Sequence, residues 1–129
     1  MPRESFGGFF KRRRHALGLT LRSFCAKNRI DGGNLSKLER GVLPPPESHE
    51  KLEEYARMLE LREGSDDWLE FFDLAAAGRG RLPRDLADDP EVVRRLPILF
   101  RTLRGERVED AKLDRLVHHL RDDRSGRAE

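Results

Sequence analysis

Asn34 and Lys37 stand three residues apart in the segment DGGNLSKLERG that runs from Asp31 to Gly41, a spacing that puts both on one side of a short helix. An amide in such a place can bond an adenine edge bidentately and an ammonium can donate to guanine O6 or N7, each worth about 1–3 kcal/mol of discrimination. The chain also holds a supply of cations suited to phosphate, namely Arg12, Arg13, Arg22, Lys27, Arg29 and Arg40. Every phosphate they neutralised would steepen the salt dependence of binding. The other group able to do chemistry is His118-His119, with Asp114 and Asp122 one helical turn to either side. Adjacent residues on a helix project about 100° apart, so the two imidazoles cannot readily share one ion. No metal, no cofactor and no catalytic residue is expected.

The elements that would position Asn34 and Lys37 are legible from residue 20 onward. Thr20 and Asp31 are each placed as the N-cap of a short helix, and Gly41 closes the second one. Phe24, Cys25, Ile30, Leu35 and Leu38 supply the apolar inner side of the pair. Two short helices joined by a tight turn, the second presenting polar side chains, have the layout of a DNA-binding helix-turn-helix.

On these residues the chain resembles the Xre/Cro/phage-repressor family of regulators, whose pattern runs roughly GLTQEELAxxLGVSxxxISxIERG. It matches at Gly18, Leu19, Thr20, Leu35, Ser36, Leu38, Glu39, Arg40 and Gly41, with Phe24, Cys25, Ile30 and Asp31 as substitutes at four more positions. The resemblance covers about residues 6–61. It implies a five-helix lambda-repressor-like head, with base contacts from Gly32, Gly33, Asn34 and Lys37. It further implies a largely buried salt bridge between Arg14 and Glu39 that braces the reading helix. Two departures matter. Gly32 and Gly33 offer no side chain, and Leu21 stands where the family has a contacting Gln. Direct readout is then sparse, and the glycines either let the helix approach the bases closely or leave backbone amides for phosphate. Cys25 replaces a small family Ala and is expected to be buried, without partner in a disulfide or a zinc cluster.

Charge is distributed unevenly along the 129 residues. Residues 1–46 carry ten Lys/Arg against three Asp/Glu, residues 47–78 three against ten, and residues 79–129 thirteen against eleven. A basic head followed by an acidic helix suits one face turned to a polyanion. With 39% charged and 7% aromatic residues, the core must be lean and the surface ionised. There is no apolar run of membrane length and no signal-like leader, so the chain is expected in the cytoplasm, away from membranes.

The spacing predicts an all-α chain. A first helix over about 5–16 turns Phe6, Phe10 and Leu17 inward and keeps Lys11, Arg12 and Arg13 on or near the outside. Gly7 and Gly8 weaken its start by about 1 kcal/mol each. Three prolines at 44–46 form a stiff elbow. A helix over about 47–61 buries Leu52, Tyr55, Ala56 and Leu59, and a further one over about 65–77 is apolar on nearly two sides. That helix needs cover from the C-terminal half or a second subunit. Pro83 opens a loop, Asp89-Pro90 starts a helix that Pro97 breaks or kinks, and a last helix spans about 108–121. Residues 122–129 are expected to be disordered.

The division that follows is a DNA-binding domain over 1–61 and a helical dimerisation or partner-binding region over 62–121. Trp68, Phe71, Phe72, Leu113, Leu116, Val117 and Leu120 are the expected dimer contacts. The expected function is a homodimeric repressor that binds a palindromic operator in double-stranded DNA through residues 31–40. The alternative is an antitoxin that autoregulates its operon and binds a toxin protein through the C-terminal half. That half also loosely resembles the dimerisation tail of radiation-response repressors cut by a metalloprotease, which implies a cut between Leu103 and Arg104; against this, Leu103 is expected to be a core residue. Ala77-Gly78 is similar to the cleavage dipeptide of self-cleaving repressors, yet no β-rich segment with a Ser and Lys dyad follows it.

Overall fold

Short polar side chains decide where the first five helices begin. Ser5 accepts from the Gly8 N–H at 3.1 Å, Thr20 from Ser23 at 3.1 Å, Asp31 from Gly33 and Asn34 at 3.3 Å, Ser48 from Lys51 at 3.3 Å and Ser65 from Trp68 at 3.2 Å. Each cap satisfies amides that the first turn leaves without partners, worth about 1 kcal/mol apiece. The computed structural model of the chain describes residues 4–105, and every regular element among them is an α-helix. In order these are α1 (Phe6–Ala16), α2 (Leu21–Asn28), α3 (Gly32–Glu39), α4 (His49–Met58), α5 (Asp66–Gly78), α6 (Arg84–Ala87) and α7 (Pro90–Gly105). The expectations for the last helix and its Leu113, Leu116, Val117 and Leu120, for His118-His119 and for the tail lie outside the described residues.

The chain divides into two units, the first ending at Pro83 and the second beginning at Arg84. The first unit therefore runs past residue 61 and takes in α5. Its core is organised around α1. Phe6 meets Phe71 of α5 with ring centroids 5.0 Å apart, and Phe10 meets Phe24 of α2 and Tyr55 of α4 at 5.6 and 5.4 Å. Phe9, which the inward set of Phe6, Phe10 and Leu17 omitted, is fully buried and lies 6.1 Å from Phe71. One helix face cannot hold both Phe9 and Phe10. Here α1 packs against α3 on one side and α5 on another, so both rings go inside.

That packing corrects the expectation for α5. Its cover comes from α1 and α4 of its own unit, and Phe71, assigned to a dimer contact, has no exposed surface at all. Trp68 and Phe72 are half-buried against the same core, with Phe72 in contact with Phe71 and the His49 ring.

Gly7 has a different role from the one its helix propensity suggests. A Cβ on it would stand 2.5 Å from the carbonyl oxygens of both Leu38 and Glu39. Only hydrogen fits between α1 and the end of α3 at that crossing.

In the second unit, the segment after Pro83 that read as a loop contains the one-turn helix α6. Asp89 caps α7 by accepting from Glu91 at 2.9 Å and Val92 at 3.4 Å. Pro97 does not end α7, which continues to Gly105. The proline removes the donor to the Val93 carbonyl, but Val93 and Pro97 are both exposed, so water can take the donor's place.

Candidate nucleic-acid interface

Residues 20–41 fold as α2 and α3 joined through Arg29, Ile30 and Asp31. Leu35 and Leu38 of α3 go into the core with Phe24 and Cys25 of α2. On the other side of α3, Gly33, Lys37 and Arg40 follow one another at i, i+4 and i+7, with Asn34 beside them, and all four are exposed. Among the described residues the side chains of Asn34 and Lys37 have no hydrogen-bond or ionic partner. A polar edge left unpaired on a rigid helix is available to a ligand.

The two glycines part company. A Cβ on Gly32 would point inward, 3.8 Å from Cys25 Sγ, so Gly32 belongs to the crossing of α2 and α3 and not to the exposed edge. A Cβ on Gly33 would make only ordinary contact, 3.7–3.8 Å, with the Asp31 carboxylate. The fold does not require glycine at 33. Gly33→Ala is expected to raise the unfolding free energy by about 1 kcal/mol, through helix propensity alone, as a shift of the urea midpoint. The Asp31 carboxylate already takes the Gly33 and Asn34 amides, and its charge repels a phosphate from them. Of the two roles open to the glycines, the phosphate cradle is removed.

Behind the exposed edge, Arg14 and Glu39 are brought together as a bidentate pair. Arg14 Nε donates to Glu39 Oε2 at 2.8 Å and Nη2 to Oε1 at 2.9 Å, and Nη1 donates to the Leu19 carbonyl at 2.9 Å. The hydrogen bond to Glu39 raises the Arg14 pKa above its ordinary value. Cys25 is buried nearby, and burial pushes its thiol pKa up. Leu21, half-buried, packs on the core and offers no polar group.

The cations sort into two groups. Arg12 is held by Glu4 at 3.0 Å and lies over the Phe9 ring, and that hydrogen bond raises its pKa. Arg13 bonds Asp67 of α5 at 3.3 Å, and its Nε is buried without a partner. Both of these expected phosphate-binding cations are thus engaged by carboxylates of the chain itself. Arg22, Lys27, Arg29 and Arg40 remain exposed and make no ion pair among the described residues, as does Lys37. Lys51, Arg57, Arg79 and Arg81, by contrast, each hold a carboxylate. Arg29 has a further distinction that its sequence position did not signal. Its φ of 56° and ψ of 48° are left-handed, a conformation that costs about 1–2 kcal/mol for a residue with a Cβ and is free for glycine.

Among the described residues no group of His, Cys, Asp and Glu is arranged to hold a metal, and no helix is long and apolar enough to cross a membrane. Comparison with known protein families, with curated proteins and with solved structures finds no match to this chain.

Proposed function

We propose that the chain is a sequence-specific DNA-binding regulator, most simply a repressor, which inserts α3 into the major groove. The observation that carries this reading is the concentration of exposed, unpaired cations, Arg22, Lys27, Arg29, Lys37 and Arg40, on one pair of helices. Elsewhere in the described first unit Lys11 and Arg62 are also exposed without an ion pair, whereas seven other cations hold carboxylates. Asn34 and Lys37 are the base-reading side chains, and Gly33 lets the backbone come close to the base edges between them. The exposed cations hold phosphates to either side.

Selection of bound duplexes from a random pool tests the reading, since enrichment of one sequence supports it and recovery of unselected DNA overturns it. Arg29→Gly on the selected duplex is expected to weaken binding and to reduce the slope of log affinity against log salt by about 1, as for one lost phosphate contact. The same change is expected to make the fold more stable, so loss of binding cannot be ascribed to unfolding. A homodimer on two half-sites belongs to the same proposal. Its surface is sought first on the second unit, where Val93, Ile98, Phe100 and Leu103 of α7 are between 43% and 70% exposed, and the buried Phe71 has no part in it. The expectation that Leu103 is a core residue is thereby corrected.

A further inference from the structure

The residues that follow α5 hold the connection that follows α3. Gly78, the last residue of α5, lies so close to the buried Pro45 that a Cβ on it would stand 2.7 Å from the proline Cγ. One residue further, Arg79 Nε donates to the Pro45 carbonyl at 2.7 Å. Arg81 meets Glu47 at 2.8 Å, and Arg79 stands 3.9 Å from the same carboxylate. The near end of this connection is fastened to α3, because the N–H groups of Val42 and Leu43 both donate to the Lys37 carbonyl, at 2.8 and 3.2 Å. Between the two fastenings the chain has little freedom, since Pro44, Pro45 and Pro46 each fix φ. A shift at Pro45 is carried by stiff backbone to the carbonyl of Lys37, whose side chain lies on the exposed edge of α3.

We propose that Arg79 is a positioning residue for the DNA-reading edge: through Pro45 it fixes the last turn of α3 and with it the aim of Lys37. The inference rests on the DNA-binding reading. Arg79 suits the task chemically. Its contact uses Nε, a donor set within the planar guanidinium, which the single terminal ammonium of lysine does not reproduce. The side chain is 31% exposed, so the bond is partly shielded from competing water. A charged donor to a carbonyl is also among the stronger hydrogen bonds.

The test uses the full chain and the duplex that the wild type selects, with Arg79→Lys as the main variant because it keeps the charge. Affinity is expected to fall about fivefold, less than the bond is worth to the fold, because it is absent from free and bound variant alike and only its effect on the aim of Lys37 reaches the complex, with the salt slope unchanged and discrimination reduced at the base pair to which Lys37→Ala becomes indifferent. In the Lys37→Ala background, Arg79→Lys is expected to cost little more, since its effect runs through Lys37. Glu47→Gln, which removes the carboxylate shared by Arg79 and Arg81 but keeps the bond from Arg79 to Pro45, is expected to act in the same direction and more weakly. Unchanged affinity in Arg79→Lys would overturn the proposal. So would a loss fully additive with Lys37→Ala, which marks general destabilisation, or a salt slope reduced by about 1 in Arg79→Ala together with unaltered base discrimination, which marks a direct phosphate contact. Failure of the wild type to select any sequence is a separate outcome that removes the DNA-binding reading and this inference together.

Discussion

Arg14→Ala is expected to lower the stability of the fold by about 3–5 kcal/mol, because it leaves a carboxylate buried without its partner. The side chains of Arg14 and Glu39 are only 5% and 6% exposed, with both guanidinium–carboxylate bonds below 3 Å. The substitution also deprives the Leu19 carbonyl of its donor, adding a second unsatisfied group. Urea unfolding measures the loss, and a midpoint unchanged in Arg14→Ala would show that water reaches Glu39 freely. A control separates the value of the pair from the penalty of breaking it. Arg14→Met combined with Glu39→Leu removes both charges at similar volume and is expected to recover most of the stability. The raised pKa of Arg14, due first to its hydrogen bond with Glu39, means that the cation's contribution is present below the arginine's ordinary pKa. It is lost only as pH rises through the higher folded value, beyond the range in which the protein would be studied.

Gly7→Ala is expected to cost about 3 kcal/mol, the upper part of the range for overpacking a tight interior. In an exposed helix the same change would stabilise by about 1 kcal/mol, and that is the outcome expected at Gly33. The sign differs because the atoms facing the new methyl differ. At Gly7 they are two backbone oxygens 2.5 Å from the Cβ position, and a backbone carbonyl at a helix end cannot swing aside as a side-chain tip can. Either α1 moves away from α3, loosening Phe10 against Phe24, or the last turn of α3 frays. Comparing the urea midpoints of Gly7→Ala and Gly33→Ala against the wild type provides the check, and two shifts of the same sign would contradict the account.

What was legible in the residues was what is decided over three or four positions. Thr20, Asp31 and Ser65 cap helices because a short oxygen-bearing side chain reaches an amide two or three residues on, and Ser5 and Ser48 do the same at helix starts that the spacing places only approximately. The exposure of Asn34 and Lys37 follows from the burial of Leu35 and Leu38 on the same helix. Decisions between distant segments were not legible. Nothing near Arg13 announces Asp67, 54 positions away, as its partner, so it read as a free surface cation. Phe71 read as excess apolar area because Phe6 and Phe9, which cover it, lie at the other end of the unit. Gly7 looked like a weakness until α3 was set against it. Pro97 shows the converse: proline is disfavoured inside helices, yet an exposed position in α7 tolerates it.

Cys25 gives the crossing of α2 and α3 a chemical clock. The thiol is buried where the two helices meet, and burial holds it in its unreactive protonated form. With Cys25 only 7% exposed, an alkylating reagent reaches it mainly when the helices part, and the chain holds no other cysteine. The rate of its modification therefore counts those openings directly and, compared with the rate of whole-domain unfolding, says whether the exposed edge of α3 breathes on its own or only with the rest of the fold.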